Sequence, residues 1–205
     1  NFEIYEAGHP IPDENTVLAT KKALEMTEKL TKNDLLLFLV SGGGSALFEL
    51  PAQGVSLTEL MAVNNSLIRS GADIVEINTV RKHISSVKGG RFAKLISPAK
   101  IFSLVLSDVI GDRLDSIASG PAYPDSSTSQ MSLDILKKYK IDISENALQA
   151  VKKETPKTLD NVSSQIIGNV KLLCENAAKS AKKLGYNSKI LSWSVGCEAS
   201  QIADM

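Results

Sequence analysis

Two hydrophobic patterns alternate along the chain. Consecutive apolar residues fill positions 35–40, apolar residues interrupted only by Ser103 fill positions 101–106, and a third, shorter apolar run ends at Gly168. Runs of this length are too short for isolated helices and are typical of strands that a parallel sheet buries on both faces. Residues 2–6 and 188–191 also have strand-like patterns. The apolar pattern therefore predicts several strands, of which at least two lie inside the domain.

Between these runs, apolar residues recur every three to four positions, which is the period of an amphipathic helix. Helices are predicted after Asp13 and over residues 56–70, 74–96, 129–139, 144–152 and 169–184. Lys88-Gly89-Gly90 is expected to break or kink the third of them, because glycine favours helix ends and turns. Strands that alternate with helices predict an α/β domain with a mainly parallel sheet and right-handed crossovers.

A glycine loop follows the first buried strand directly. Its residues are Ser41, Gly42, Gly43, Gly44 and Ser45. Three glycines leave backbone N–H groups uncovered, and loops at the carboxyl ends of parallel strands commonly hold anionic groups. The loop lacks the Gly-Lys-Ser/Thr ending of a P-loop and the G-x-G-x-x-G pattern. A plain tight turn is the alternative interpretation.

Two carboxylates follow the second buried strand. Asp108 and Asp112 are four positions apart in a loop at its carboxyl end. Magnesium ions are often held by one or two carboxylates together with water and phosphate oxygens. The pair therefore suggests an Mg²⁺ site, and the alternative is that both side chains cap turns.

The densest polar cluster lies in the third predicted helix. It contains Glu76, Asn78, Arg81, Lys82 and His83, followed by Lys88, Gly89, Gly90 and Arg91. An arginine fork can clamp a carboxylate or a phosphate, and a lysine supplies a point charge. Residues 88–91 have two alternative roles. They contact nucleotide phosphates, or they form a helix break whose charged side chains are solvated. For His83 and for His9, a structural hydrogen bond is the plainer role than catalysis.

Composition narrows the classes of partner. The 205 residues carry 23 basic and 23 acidic side chains, so no net charge favours nucleic acid. Aromatic residues make up only 5% of the chain, whereas single-strand binders use aromatic platforms. No apolar run is long enough for a membrane span, and Cys174 and Cys197 have no metal-ligand spacing. We expect a cytoplasmic protein with two reduced thiols. Because the chain begins at Asn1, we also expect a piece of a longer polypeptide.

Five motifs in order resemble the glycerate 2-kinase family, the type II glycerate kinases with a MOFRL C-terminal domain. The motifs are EAGHPIPDENT (6–16), SGGGSAL (41–47), EINTVRKHISSVKGGRFA (76–93), LSDVIGDRLDSIASGPAYPD (106–125) and IIGNVKLLCENA (166–177). They cover nearly the whole chain, and five co-ordered motifs are much more specific than one glycine loop.

The resemblance implies ATP-dependent phosphorylation of D-glycerate to 2-phosphoglycerate with Mg²⁺. It implies that residues 1–205 form a single α/β domain, a three-layer Rossmann-like fold that is most of the larger domain of a two-domain kinase. A lysine-bearing segment before Asn1 and the C-terminal domain after Met205 are then absent from this chain. An absent first strand would leave an unpaired sheet edge, through which a homodimer could form.

Phosphoryl transfer requires positioning of the reactants and neutralisation of charge, which suggests roles for the candidate residues. Arg81, Lys82 and Asp108 are the catalytic candidates, and Asp108 is also the tentative Mg²⁺ ligand. The substrate- and nucleotide-binding candidates are Ser41, Gly42, Gly43, Gly44, Ser45, Lys88, Gly89, Asp112 and Glu198. A helix cap is the alternative for Glu198. For the whole chain, the alternatives are a kinase for another small hydroxy acid and a non-catalytic ligand-binding module.

Overall fold

A three-stranded parallel sheet is the centre of the fold. The computed structural model describes residues 2–196. Strands β1 (Leu35–Val40), β2 (Lys100–Leu106) and β3 (Val162–Gly168) lie side by side in that order. Both pairings are parallel, with Leu35 opposite Lys100 and Ile101 opposite Val162. The prediction of an α/β domain with a parallel sheet is confirmed.

Helices cover one face of this sheet. Helices α1 (Glu14–Thr27) and α5 (Arg91–Ile96) supply apolar side chains to a core that includes Ile101 of β2. At its centre the rings of Phe38, Phe48 and Phe92 lie 5.0 to 5.8 Å apart. Burial of such apolar surface is the main stabilising contribution to a core of this kind.

The opposite face of the sheet remains largely open in the part of the chain described. Leu35, Leu37 and Leu39 alternate along β1 and are 66%, 55% and 67% exposed. Leu106 of β2 and Ile167 of β3 are also more than half exposed. Residues 2–196 therefore provide the sheet and the helical layer on one side of it, which are two of the three predicted layers.

Four further helices form a second core beside the sheet. They are α3 (Leu57–Arg69), α4 (Ile74–His83), α6 (Ser129–Lys138) and α7 (Glu145–Val151). Leu60, Leu67, Val80, Ile84 and Val151 are completely buried between them. This packing fixes α4, whose polar residues reach the carboxyl end of the sheet.

The predicted helix boundaries agree closely with the structure. Asp13 caps α1 through the backbone N–H of Thr16, and Ser56 caps α3 through the N–H of Glu59. The third predicted helix is interrupted earlier than expected, because α4 already ends at His83, and Gly89 and Gly90, with φ values of +57° and +80°, directly precede α5. The last helix, α8 (Val170–Lys183), ends just before Gly185.

Two predicted strands are wrong. Residues 2–6 and 188–191 have extended sequence patterns, but neither forms a strand in the described structure. Phe2 and Ile4 are 99% and 86% exposed, so no neighbouring surface buries the apolar side of the first segment. A strand needs a hydrogen-bonding neighbour, and alternation alone does not provide one. No helix within residues 2–196 has the length and apolarity needed to cross a bilayer.

Candidate active site

A cleft of about 650 Å³ lies at the carboxyl ends of β1 and β2. Its main lining residues are His9, the glycine loop 41–45, Asn78 and Arg81 of α4, Asp108, Arg113 and Ala118. Ligands of open α/β sheets bind at this edge, because the strand ends and the following loops converge there. The structure therefore brings the glycine loop, Asp108 and Arg81 together, as the sequence predicts.

Glycines are needed in the loop 41–45 because its backbone lies very close to neighbouring residues. Gly43 takes a φ of +83° and precedes the short helix α2 (Gly44–Leu47), whose start has no side-chain cap among the described residues. A Cβ atom on Gly42 would lie 2.7 Å from a carboxylate oxygen of Asp108. A Cβ atom on Gly44 would lie 2.7 Å from the Cβ atom of Ala118. Any larger residue would therefore push the loop away from its neighbours.

A strained turn packs directly against the glycine loop. Ala118 and Ser119 have φ values of +51° and +60°, which non-glycine residues rarely adopt. The Ser119 hydroxyl lies 3.1 Å from the Ser45 hydroxyl and donates to Asn78 Oδ1 at 3.2 Å. Such strain is common at functional sites and persists where surrounding contacts fix it.

Lys88 lies behind this pair of loops and not in the cleft. It is completely buried, and its ammonium group donates to the carbonyl oxygens of Phe48 at 2.7 Å, Ala118 at 3.2 Å and Gly44 at 3.4 Å. A Glu49 carboxylate oxygen lies 3.9 Å away. Lys88 thus ties the glycine loop to the strained turn, and the structure gives it a supporting position instead of one against a nucleotide.

Gly89 has a supporting position as well. Its N–H donates to the Ser119 carbonyl oxygen at 3.0 Å, and the N–H of Gly90 donates to the Gly120 carbonyl oxygen at 2.7 Å. A Cβ atom on Gly89 would lie 3.1 to 3.2 Å from Thr155 and Asp125. The glycines after Lys88 therefore pair with the strained turn along its backbone.

Replacement of Lys88 by methionine tests the burial of this side chain through the pH dependence of the free energy of unfolding. Burial lowers the pKa of Lys88 from 10.5 to about 8, although the Glu49 charge partly opposes the shift. Between these two pKa values the unfolded chain binds more protons, so stability rises with pH. From pH 8 to pH 10, the free energy of unfolding of the wild type should therefore rise relative to that of Lys88→Met.

Urea unfolding of the intact protein at pH 8, 9 and 10 measures this difference. Lys179→Met, which removes an exposed lysine from α8, is the matched control and should show no such trend. A constant difference between wild type and Lys88→Met across this range would contradict the proposed burial effect.

Lys82 lies outside the cleft, in a buried ion-pair cluster. Its ammonium group is 3.1 Å from Asp125 Oδ1 and 3.6 Å from Asp115 Oδ2. Burial alone would raise the pKa of Asp125, but Lys82 and hydrogen bonds from Ser127 and Thr155 bring it below its ordinary value. These contacts hold the 115–127 segment against α4. They also neutralise the charge of Lys82, which the sequence suggested for catalysis.

Arg81 lies at the cleft surface with its guanidinium group partly buried. Burial lowers its pKa, and the neighbouring Glu49 charge opposes that effect. Its hydrogen bond to Asn78 Oδ1 is long, at 3.4 Å, and no carboxylate of residues 2–196 forms an ion pair with it. A partly buried guanidinium without a counter-ion is suited to binding an anion.

The two loop aspartates have different surroundings. Asp108 is exposed in the cleft beside Gly42, whereas the Asp112 carboxylate accepts a hydrogen bond from Asn169 Nδ2 at 2.6 Å and does not line the cleft. No group of three or more potential metal ligands exists in residues 2–196. Asp108 alone fits an Mg²⁺ ion that takes its other ligands from phosphate and water.

The structure places the remaining candidates, His9, His83 and Glu198, differently with respect to the cleft. His9 lines the cleft beside Gly43, at 3.2 Å from the position of an added Cβ atom. His83 is completely buried, with Nδ1 2.9 Å from both the Thr79 carbonyl oxygen and the Ser132 hydroxyl, and burial lowers its pKa. These contacts give His83 the structural role. Glu198 lies outside the described residues.

Sequence reasoning missed several cleft residues. Ala118 lies in a segment that reads as an irregular loop, with Ser119 completely buried beside it, and Arg113 lies in the 106–125 motif without a predicted role of its own. Asn78 stands out in the sequence only as part of a polar helix face. The one available signal was the small-residue stretch from Ala118 to Gly120, which follows the second strand closely.

The fold and the cleft define a parallel α/β domain with a candidate binding site at the carboxyl ends of its strands. Residues 1–152 match the family described as "Domain of unknown function (DUF4147)". The chain belongs to this family.

Several proteins named as glycerate kinases are similar to the chain. D-glycerate 2-kinase of Thermotoga maritima is 58% identical over 199 residues, which cover 97% of this chain and 48% of that protein. Glycerate 2-kinase of Pyrococcus horikoshii is 44% identical over 210 residues, which cover 97% and 47%. Glycerate kinase of Danio rerio is 39% identical over 199 residues, which cover 91% and 40%. These relatives confirm the resemblance predicted from the five motifs.

Solved structures agree with the sequence relatives. The crystal structure of Thermotoga maritima glycerate kinase superposes with a TM-score of 0.87 over 93% of this chain and 46% of that chain, at 58% identity. The crystal structure of a Pyrococcus horikoshii protein gives a TM-score of 0.81 over 90% and 44%, at 44% identity. The chain spans about half the length of the relatives and structures that it matches.

Proposed function

We propose that this chain is the larger domain of a two-domain glycerate 2-kinase, which transfers a phosphoryl group from ATP to the 2-hydroxyl of D-glycerate. The observation that carries the proposal is the convergence of the glycine loop, Asp108 and unpaired Arg81 in one cleft. The relatives named glycerate 2-kinase support the substrate. In the proposal, residues 1–205 form one domain, and a MOFRL domain outside this chain closes the cleft.

The transfer step asks for positioning and for neutralisation of charge. The 2-hydroxyl oxygen forms a bond to the γ-phosphorus, while the bond from phosphorus to the β–γ bridging oxygen breaks and its electron pair leaves with ADP. Backbone N–H groups of the glycine loop and the hydroxyls of Ser41 and Ser45 hold phosphate oxygens. Asp108 orients the attacking hydroxyl and takes its proton. Arg81 binds the carboxylate of the acid.

Asp108 also fits as the protein ligand of Mg²⁺, since it is the exposed carboxylate beside the glycine loop. When bound, the ion supplies neutralisation of the phosphate charge. Lys82, Lys88, Gly89 and Asp112 remain in the proposal as residues that hold the cleft loops in place. Glu198 remains a predicted cleft residue.

The partners of the proposal are small molecules, without nucleic acid or membrane. The equal number of acidic and basic residues supports this view. A cytoplasmic location is part of the proposal, because Cys174 and Cys197 have neither metal-ligand spacing nor the density of a disulfide framework. The exposed apolar residues of β1 are compatible with a homodimer as well as with cover by another part of the protein.

A coupled assay of ADP release tests the proposal on the intact protein. Release should require D-glycerate and Mg²⁺, and it should be absent with glycerol, which has no carboxylate for Arg81. ATP consumption that is independent of any acid would contradict it. Turnover with tartronate or hydroxypyruvate but not D-glycerate would favour a kinase for another hydroxy acid, and no turnover would favour the ligand-binding module.

A further inference from the structure

A second, smaller cavity opens beside the cleft, between α3 and the loop that precedes α1. Its volume is about 270 Å³, against about 650 Å³ for the cleft. Ser45, Arg81 and Ile68 line both cavities, so the two are neighbours across a shared wall. Pockets that hold drug-sized ligands have volumes of roughly 300–1,000 Å³. The smaller cavity, called the side pocket below, therefore suits a ligand of few atoms, and the cleft suits a nucleotide.

The charge of the side pocket is set by Arg81. Glu49 also lines the pocket, but its carboxyl group is directed into the protein. It accepts hydrogen bonds from the Ser85 hydroxyl at 2.5 Å and from the Leu50 N–H at 3.0 Å, and it lies 3.9 Å from Lys88 Nζ. Burial raises the pKa of Glu49, whereas the charges of Lys88 and Arg81 and the hydrogen bond from Ser85 oppose that rise. Because the Glu49 carboxyl group has its partners inside the protein, the Arg81 guanidinium group remains to bind an anion in the pocket.

Asn64 supplies a second polar group to this pocket. The residue lies on α3, is only 8% exposed and lines the pocket, yet its side chain makes no hydrogen bond with any described residue. Its Oδ1 atom is buried without a partner, whereas Nδ2 donates to no described residue and is not buried. The amide therefore presents its donor to the pocket. A ligand oxygen there can accept a hydrogen bond from Nδ2.

We propose that the side pocket binds the carboxylate of a small hydroxy acid, held between the Arg81 guanidinium group and the Asn64 amide. The inference rests on the proposed kinase function and assigns Asn64 as a substrate-binding residue. The apolar side chains of Met61, Ile68 and Pro12 form the rest of the pocket wall, and the hydroxyl-bearing carbon atoms of the acid extend past Ser45 towards the cleft. The shared position of Ser45 and Arg81 brings the bound acid next to the glycine loop, where the phosphoryl group arrives.

Substitution of Asn64 tests this assignment in the intact protein. Asn64→Asp places a carboxylate where it pairs with Arg81 and repels the acid, and Asn64→Ala removes the donor alone. Hydrogen bonds to charged groups are worth about tenfold or more in binding. Both variants should therefore raise KM for D-glycerate by about tenfold or more, while KM for MgATP stays within about twofold.

Ser66→Asp is the matched control, because it adds the same charge to an exposed position of α3 outside the pocket. It should leave both KM values unchanged. The assignment is overturned if the Asn64 variants raise neither KM value or raise both equally. If Asn64→Asp does not fold, Asn64→Ala decides the question.

Calorimetric titration of D-glycerate without nucleotide separates this inference from the proposed function. Binding to the wild type that weakens at least tenfold in Asn64→Ala supports the pocket, even if no ADP is released. Normal ADP release with unchanged glycerate binding in the variants leaves the kinase intact and overturns the pocket. Absence of binding to the wild type overturns the pocket as well.

Discussion

Replacement of Asp108 by asparagine is expected to lower kcat of the intact protein by about a thousandfold, with little change in thermal stability. The loss follows from the proposed role of the carboxylate at the reacting hydroxyl and at the metal, since single groups with such roles commonly contribute 10²- to 10⁴-fold. Stability should hold because the side chain is exposed and makes no hydrogen bond with any residue of the described range. Steady-state kinetics and the melting temperature measure both quantities.

Asp112→Asn provides the contrast to this variant. The Asp112 carboxylate accepts the Asn169 amide at 2.6 Å and does not line the cleft, so its effect on kcat should be less than about tenfold. Equal losses in the two variants, or an unchanged kcat in Asp108→Asn, would remove Asp108 from the mechanism.

The second large effect is expected for Gly44→Ala. The added Cβ atom would lie 2.7 Å from the Cβ atom of Ala118, which is fixed to the backbone of the strained turn. The glycine loop must therefore shift, and a displacement of about 1 Å at a reacting centre can cost about a hundredfold. We expect kcat/KM for D-glycerate to fall by about that factor.

Gly185→Ala is the control for this substitution. Gly185 lies after α8, has a φ of +87°, and an added Cβ atom there meets nothing within 4 Å. It should cost about 1 kcal/mol of stability through backbone strain and leave kcat/KM unchanged. A Gly44→Ala enzyme with normal kcat/KM would show that the loop geometry does not position the phosphate.

The placement of the cleft could be predicted from the sequence because it follows from strand ends. Residues 35–40 and 101–106 read as buried strands, and parallel pairing brings Ser41 and Asp108 to the same edge. Arg81 was a candidate for its guanidinium chemistry, and only the structure shows that its helix brings it to that edge. The family resemblance then supplied the expected chemistry.

The positions of the lysines could not be predicted in the same way. A lysine in a polar motif reads as a free charge, but Lys88 reaches the carbonyl oxygens of Gly44, Phe48 and Ala118, which lie at least 30 positions away in sequence. Lys82 likewise pairs with Asp125, 43 positions later. Such contacts depend on tertiary packing, and neither periodicity nor local spacing carries that information.

The surroundings of Asn64 could not be predicted from the sequence either. Within α3 it looks like one of several polar residues, and only the packed structure shows that its amide is buried, unpartnered and beside Arg81. The strand-like pattern of residues 2–6 failed for a related reason, because strand formation depends on a neighbour that the pattern does not contain.

The most direct test of the account is the identity of the phosphorylated product. D-glycerate and MgATP are incubated with the intact protein, and enolase is added with or without phosphoglycerate mutase. Phosphoenolpyruvate should form with enolase alone, because enolase consumes 2-phosphoglycerate directly. A signal that requires the mutase would mean transfer to the 3-hydroxyl and would contradict the proposed reaction.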